Sequence, residues 1–307
     1  MMYAKTIARY LHIKPSCWAS EKSQLAVLRK KTGYTFSNCK KALEMHNNDL
    51  IQAEGWLHKQ AQALGWSKAT KLEGRQTTQG LVAVAVDKNK GALVEVNCET
   101  DFVAKNKTFQ DMAETATQAC LHFTERQPHI RGPITKIGLD AEQLRQLPTK
   151  DGKSLADHLA LMIGSLGENA TLRRAVCFKT DSNIHLSAYA HPCGTEHNKI
   201  LLGRFAGLIA LKQKEQKDID IKALGRNLCQ HVVGMDPKKI GTSSDEPAKN
   251  PDDETCLIHQ EYLIDNTSIV NDVLEEYGVE VIDFKRFECG ENLTVGIQPL
   301  SHIETCQ

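Results

Sequence analysis

Nine residues, Cys98 to Asn106 (C-E-T-D-F-V-A-K-N), constrain this chain most, because a strand pattern ends and a helix pattern begins within them. Upstream, Ala92–Val96 reads as a strand, with Leu93, Val94 and Val96 apolar and Gly91 at a turn. Downstream, Phe109, Met112, Ala113, Ala116, Cys120 and Phe123 recur along one helical face. A carboxylate and a bare phenyl ring, Asp101 and Phe102, therefore stand side by side at a strand-to-helix junction. Two readings fit that position. Asp101 caps the helix while Phe102 staples its first turn to the core, or both side chains project from a rigid base.

The rest of the chain alternates short helical and strand patterns. Residues 24–67 read as three helices: one carries Leu25 and Leu28 and stops at Thr32-Gly33, and a second runs from Ser37 to Met45. The third starts behind Asn48-Asp49 and aligns Ile51, Ala53, Trp56, Leu57 and Leu64. Gly74–Gly80 is a polar linker. Leu81–Val86 and Ala92–Val96 form a hairpin, and a loop marked by Pro128, Gly132 and Pro133 leads to a helix over Leu155–Leu166. Strands are expected at Leu172–Phe178, Ile184–Ala190 and Leu201–Leu211, then a helix at Ile219–Val233, a helix at Ser268–Tyr277 and a strand at Val279–Phe287. The class is α+β, with hairpin-rich antiparallel sheets covered on one side by helices.

A chain of 307 residues can build two or three domains. Its 38 basic and 38 acidic residues balance, which argues against a general nucleic-acid binder. Charge is nonetheless uneven: Ser243–Asp283 holds twelve acidic residues and a single Lys, Lys249, while Glu21–Leu72 is basic. Solvated faces account for both runs. No apolar stretch is long enough to span a bilayer. The first twenty residues carry Lys5, Arg9 and Lys14, hydroxyls at Thr6, Ser16 and Ser20, and no acid before Glu21. That composition suits a mitochondrial presequence, with a frayed terminus as the alternative. The ten cysteines form no C-x-x-C pair and sit in apolar segments such as those around Cys98, Cys120, Cys177 and Cys229, as small buried hydrophobes do. His191, Cys193 and His197 match no common zinc spacing and lack a fourth ligand, so no metal is expected.

Nucleotide and hydrolase chemistry find no support. Gly152-Lys153-Ser154 looks like the end of a phosphate loop, but Leu147 occupies the place of its first glycine. No G-x-G-x-x-G or G-x-S-x-G is present. The chain is expected to hold no cofactor and to bind no nucleotide itself.

Four motifs in order carry a family resemblance. Leu28-Arg29-Lys30-Lys31-Thr32-Gly33 with Cys39-Lys40-Lys41-Ala42-Leu43, then Thr100–Asn106, then Gly167-Glu168-Asn169 with Leu172-Arg173-Arg174, and finally Phe284–Glu288 with Gly290 resemble elongation factor Ts. They cover roughly residues 22 to 297. The resemblance implies an amino-terminal three-helix, ubiquitin-associated-like domain followed by a body of two subdomains. The boundaries it implies are a presequence over 1–20, the helical domain over 21–70, and subdomains over 71–181 and 182–307. Where bacterial members carry a helical hairpin, only the short polar stretch Gly241–Glu254 stands here. The implied activity is translation elongation: promoting GDP release from mitochondrial elongation factor Tu in the matrix, without enzymatic chemistry, direct nucleic-acid contact or membrane contact. Asp101 and Phe102 would act as the exchange wedge, Leu166, Gly167 and His191 would touch the GTPase domain, and Leu28, Arg29 and Thr32 would form the amino-terminal contact. The rival reading is a ubiquitin-associated-type binding module or nascent-chain adaptor without exchange activity.

Overall fold

The computed structural model describes residues 23–32, 34, 36–128, 132–192, 196–197 and 199–292. The expected presequence over 1–20, the helix-stopping Gly33 and Cys193 lie outside these residues. Packing divides the chain into two units, Met1–Gln60 and Ala61–Gln307.

The smaller unit contains α1 (Gln24–Thr32), α2 (Phe36–Met45) and the first turns of α3 (Leu50–Leu72). Leu28, Cys39, Ala42, Leu43, Ala53 and Leu57 form its core. Asn47 and Asn48 make the turn into α3 at positive φ (51° and 63°), a conformation asparagine tolerates better than most residues. Asp49 Oδ1 then caps the helix, accepting from the backbone N–H of Ile51 at 2.8 Å and of Gln52 at 3.0 Å.

The larger unit opens with the hairpin β1 (Gln79–Asp87) and β2 (Lys90–Cys98), followed by α4 (Asp101–Ala104) and α5 (Lys107–Arg126). Next come β3 (Ile134–Asp140), α6 (Ala141–Gln146), α7 (Leu155–Leu166), β4 (Ala170–Thr180) and β5 (Ile184–His191). The chain continues through β6 (Glu196–His197), β7 (Ile200–Gly203), β8 (Phe205–Gln213), α8 (Ile221–Met235), α9 (Val270–Tyr277) and β9 (Val279–Glu288). One sheet has the order β3-β4-β2-β1-β7-β6 and the other β5-β8-β9. All pairings within them are antiparallel.

Side-chain alternation along the strands separates the cores. Ala83, Ala85, Val94 and Val96 face a core shared with α5, α6 and α7. Val82, Val84 and Leu93 face the other way, into a core shared with Leu186, Ala206 and Leu208 of the three-stranded sheet. The far side of that smaller sheet packs on α8 and α9 through Ile209, Leu211, Leu228 and Val273. The body is thus layered helix, sheet, sheet, helix. Burial on both faces explains why β2 reads as a nearly continuous apolar run rather than a strict alternation.

The structure differs from the sequence reading in three places. Leu201–Leu211 is two strands in two sheets, not one. A Cβ at Gly203 would lie 2.7 Å from the His191 carbonyl oxygen, so a glycine is needed where the chain crosses the end of β5. Arg204 N–H then donates to that same oxygen at 2.8 Å, and the chain leaves in the other sheet. Secondly, β3 and α6 occupy a region read as loop; Lys136 and Gly138 had broken the apolar pattern of an edge strand. Thirdly, α3 continues to Leu72, and its second half packs within the larger unit. A Cβ on Gly65 would meet Ala160 O at 2.2 Å, and one on Gly164 would meet Gly65 Cα at 2.9 Å, so α3 and α7 cross at backbone contact. Ala69 and Leu72 join the core beneath. A chain beginning at Ala61 is therefore expected to unfold as the intact body does. Removing residues through Leu72 should cost about 1–3 kcal/mol of lost apolar burial. Denaturant melts of the two truncations check this; equal stability would move the boundary into the polar stretch 74–80.

A buried histidine gives the larger unit an acid dependence. His231 is fully buried; its Nδ1 accepts from Leu263 N–H at 3.1 Å, which leaves Nε2–H to donate to Gln260 Oε1 at 3.0 Å. Gln260 Nε2 in turn donates to the carbonyls of Met235 and Glu254. Burial holds the His231 pKa below its ordinary 6.5. The neutral ring stabilises the fold fully above that ordinary value, and the contribution is lost as pH falls from 6.5 towards the lowered folded value. Half-buried His185, whose pKa is lowered by burial and by Lys222, acts in the same direction. Melting temperature should fall from about pH 7.5 to about pH 5.5, and less steeply in His231→Gln. An unchanged slope in that variant would remove His231 from the account.

Candidate functional site

The strand-to-helix junction is pinned from several sides. Thr100 is the N-cap of α4, with extended backbone (φ −125°, ψ 153°), and its Oγ1 accepts from Val103 N–H at 3.4 Å. The same hydroxyl donates to Glu168 Oε2 at 2.9 Å. Glu99 Oε1 accepts from the Asn169 backbone N–H at 2.7 Å, and Asn169 Nδ2 donates to Arg75 O at 3.0 Å. Asn106 ends the junction by capping α5, accepting from Thr108 N–H at 2.8 Å. Glu168 and Asn169, which stood out in sequence beside Gly167, are thus the residues that fasten the carboxyl end of α7 to the junction.

The four residues of α4 divide cleanly. Val103 and Ala104 are buried in the helix-side core. Asp101 and Phe102 point away from it, and Phe102 is 79% exposed. This removes the cap-and-staple reading: Thr100 does the capping, and Phe102 staples nothing to the core. Asp101 is exposed and pairs with Lys105 Nζ at 2.8 Å, which holds its carboxyl below the usual carboxylate range. The junction therefore presents an uncovered aromatic ring on a short capped helix with a charged pair beside it.

The remaining predicted contact residues are dispersed. Leu166 is half-buried against the core at the end of α7, and Gly167 caps that helix in the left-handed conformation (φ 81°), its N–H donating to Ile163 O at 2.8 Å. The Thr100–Glu168 bond brings this helix end to the junction. His191 is exposed at the end of β5, in the smaller sheet; its Nδ1 lies 3.4 Å from Tyr189 Oη, and its ring packs near Tyr189 and Phe205. In the smaller unit Arg29 is exposed, and Thr32 is half-buried with Oγ1 donating to Leu28 O at 2.7 Å. Leu28 is corrected. It is 1% exposed at the centre of the helical core, so its side chain supports the bundle and is closed to a partner. The His191, Cys193 and His197 cluster falls partly outside the described residues. Among the described residues there is no metal-binding group of three and no helix long and apolar enough to cross a membrane. Seven cysteines are described, all buried and free.

Sequence reasoning missed the residue that ties the site's scaffold together. Glu95 lies fully buried in β2. A register shift between Glu95 and Val96 sets the consecutive Arg173 and Arg174 of β4 against it. Arg173 Nη1 donates to Oε1 at 2.8 Å and Arg174 Nε to Oε2 at 2.6 Å. Gly290 N–H also donates to Oε1 at 2.8 Å, and the Arg174 guanidinium stacks 3.8 Å over the Phe287 ring. Gly290 has φ 81°, and a Cβ there would lie 2.3 Å from Thr78 O, which excludes other residues twice over. The Arg-Arg pair and the carboxyl-terminal motif are therefore one buried construction. A lone carboxylate inside the apolar run Leu93–Val96 was the available signal.

Residues 8–67 match the family model described as elongation factor Ts, mitochondrial, N-terminal, and residues 99–249 match that for elongation factor TS. Among relatives named mitochondrial elongation factor Ts, that of Aedes aegypti is 56% identical over 280 residues, covering 89% of this chain and 90% of its own. That of Drosophila melanogaster is 48% identical over 95% of both chains. The human protein is 42% identical over 90% of this chain and 85% of its own. Together with the layered body and its capped junction, these matches define a translation elongation factor. The chain belongs to the elongation factor Ts family, in its mitochondrial type.

Proposed function

We propose that the chain binds mitochondrial elongation factor Tu in the mitochondrial matrix and speeds GDP loss from it, allowing GTP to reload. The observation that carries this reading is the 79% exposure of Phe102 on a junction whose neighbours are all fastened. An apolar ring held in water gains roughly 1.5–3 kcal/mol when a partner pocket buries it. Spent only on the nucleotide-free partner, that energy offsets distortion of the partner's magnesium and phosphate contacts. By linkage, a protein that prefers the empty GTPase must weaken its hold on GDP. Asp101 adds a carboxylate beside the displaced metal ligands. Gly167 and Leu166 border the same junction, His191 extends the contact along the smaller sheet, and Arg29 and Thr32 supply a separate amino-terminal contact. The body is used as two subdomains, 71–181 for the GTPase domain and 182–307 for a second domain of the partner, which supplies leverage. Residues 1–20 direct import. The chain makes no covalent step and touches neither nucleic acid nor membrane.

Mixing the chain with purified elongation factor Tu loaded with fluorescent GDP tests the reading. Release far faster than the spontaneous rate is expected; stable binding without release would make the chain an adaptor.

A further inference from the structure

The turn that carries Phe102 is too small to hold itself. α4 has four residues, and two backbone bonds of the α type run through it. Ala104 N–H donates to Thr100 O at 3.3 Å and Lys105 N–H to Asp101 O at 3.2 Å, both long. A single helical turn is unfavourable in isolation, because ordering its residues outweighs the bonds gained. The supports of α4 therefore come from outside it. Val103 and Ala104 enter the core. Cys98 Sγ donates to Thr100 O at 3.1 Å, and the thiol stays protonated because burial and the nearby Glu168 carboxylate push its pKa up to about 12.

The remaining support is the Thr100 hydroxyl, which has two tasks. It accepts from Val103 N–H at 3.4 Å and gives its own proton to Glu168 Oε2 at 2.9 Å. A hydroxyl carries one proton on a freely rotating bond. The half-buried Glu168 carboxylate takes that proton in a charge-assisted bond and so turns the oxygen lone pairs to the Val103 N–H. Among the described residues Glu168 forms no ion pair, and its side chain bonds to Thr100 alone. The parallel brace, Glu99 to the Asn169 N–H, joins strand end to helix end, whereas Glu168 reaches the turn itself.

We infer that Glu168 is a positioning residue for nucleotide exchange. By fixing the Thr100 hydroxyl it holds α4 in place before a partner arrives, so that Phe102 and the Leu166–Gly167 helix end meet the partner together. Without it the turn frays, and the cost of reordering it falls on the exchange step. The role in GDP release rests on the exchange reading above, while the hold on α4 is a property of the free chain.

Two measurements on the full chain test this. Deuterium uptake by peptides over residues 99–106 should be roughly 5- to 30-fold faster in Glu168→Ala, as for loss of one hydrogen bond to a charged group, with α5 unchanged. The melting temperature should stay within about 4 °C of wild type. Stopped-flow release of fluorescent GDP from elongation factor Tu should slow by the same roughly 5- to 30-fold at saturating chain. Glu168→Gln keeps an acceptor for the Thr100 hydroxyl and should recover most of both effects. Glu168→Asp, one methylene shorter, gives a second reading should Glu168→Ala melt early. The sharpest arm is the double variant. With Phe102→Ala already present, Glu168→Ala should slow release no more than about twofold further, because no ring is left to position. Unchanged deuterium uptake at 99–106, unchanged GDP release in Glu168→Ala, or full additivity with Phe102→Ala would each overturn the inference. If wild type releases no GDP or Phe102→Ala is silent, the exchange reading itself fails and takes the role in release with it.

Discussion

Glu95→Ala is expected to destabilise the larger unit by about 3–5 kcal/mol, because it strips the shared partner from two arginines that are themselves largely buried. The carboxylate also receives the Gly290 N–H, so the same substitution orphans a backbone donor. Arg174 would retain Glu291 and the Phe287 ring, but among the described residues Arg173 would keep only a carbonyl of Glu291. Glu95→Gln preserves the shape and should cost less, roughly 1.5–3 kcal/mol, the range for a hydrogen bond to a charged group. Denaturant unfolding of the two variants checks this ordering. A loss below about 1 kcal/mol in Glu95→Ala would mean that the arginines find water and that the construction is peripheral.

Phe102→Ala is expected to act in the opposite way, leaving the fold intact and slowing partner-stimulated GDP release roughly 10- to 100-fold, or about 1.4–3 kcal/mol of transition-state stabilisation. A ring that is 79% exposed contributes little to folding, so stability should change by no more than about 0.5 kcal/mol. A truncated core phenyl ring would instead cost about 3–5 kcal/mol. Phe109, on the buried stripe of α5 seven positions on, supplies that contrast within the same segment: Phe109→Ala should fail by instability. Asp101→Ala should slow release less than Phe102→Ala, since its carboxylate is exposed and already paired with Lys105.

Much of this architecture was legible because its periodicities are local. The stripe Leu155–Leu166 became α7 with those bounds, and the hairpin about residues 87–91 became β1 and β2. What escaped was decided by tertiary contact. Nothing local marks Gly203 as the point where the chain changes sheet, because the reason is the backbone of His191. Gly65 likewise looks like a weak spot in a helix until Ala160 and Gly164 are set against it. At the site, sequence placed Asp101 and Phe102 at a junction but left their direction open; the inward turn of Val103 and Ala104 decided it. Leu28 shows the converse error. It was grouped with Arg29 and Thr32 by motif, yet an apolar residue inside a small three-helix unit is claimed by the core first.

The central claim is that an exposed ring, and not merely a family fold, drives nucleotide loss. Stopped-flow release of fluorescent GDP from elongation factor Tu, with wild type and Phe102→Ala compared on samples whose melting is recorded in parallel, tests it most directly. The account predicts a variant that melts with wild type and releases GDP at least about tenfold more slowly. A variant that melts early but exchanges at the wild-type rate while folded would return Phe102 to a structural role and contradict the account.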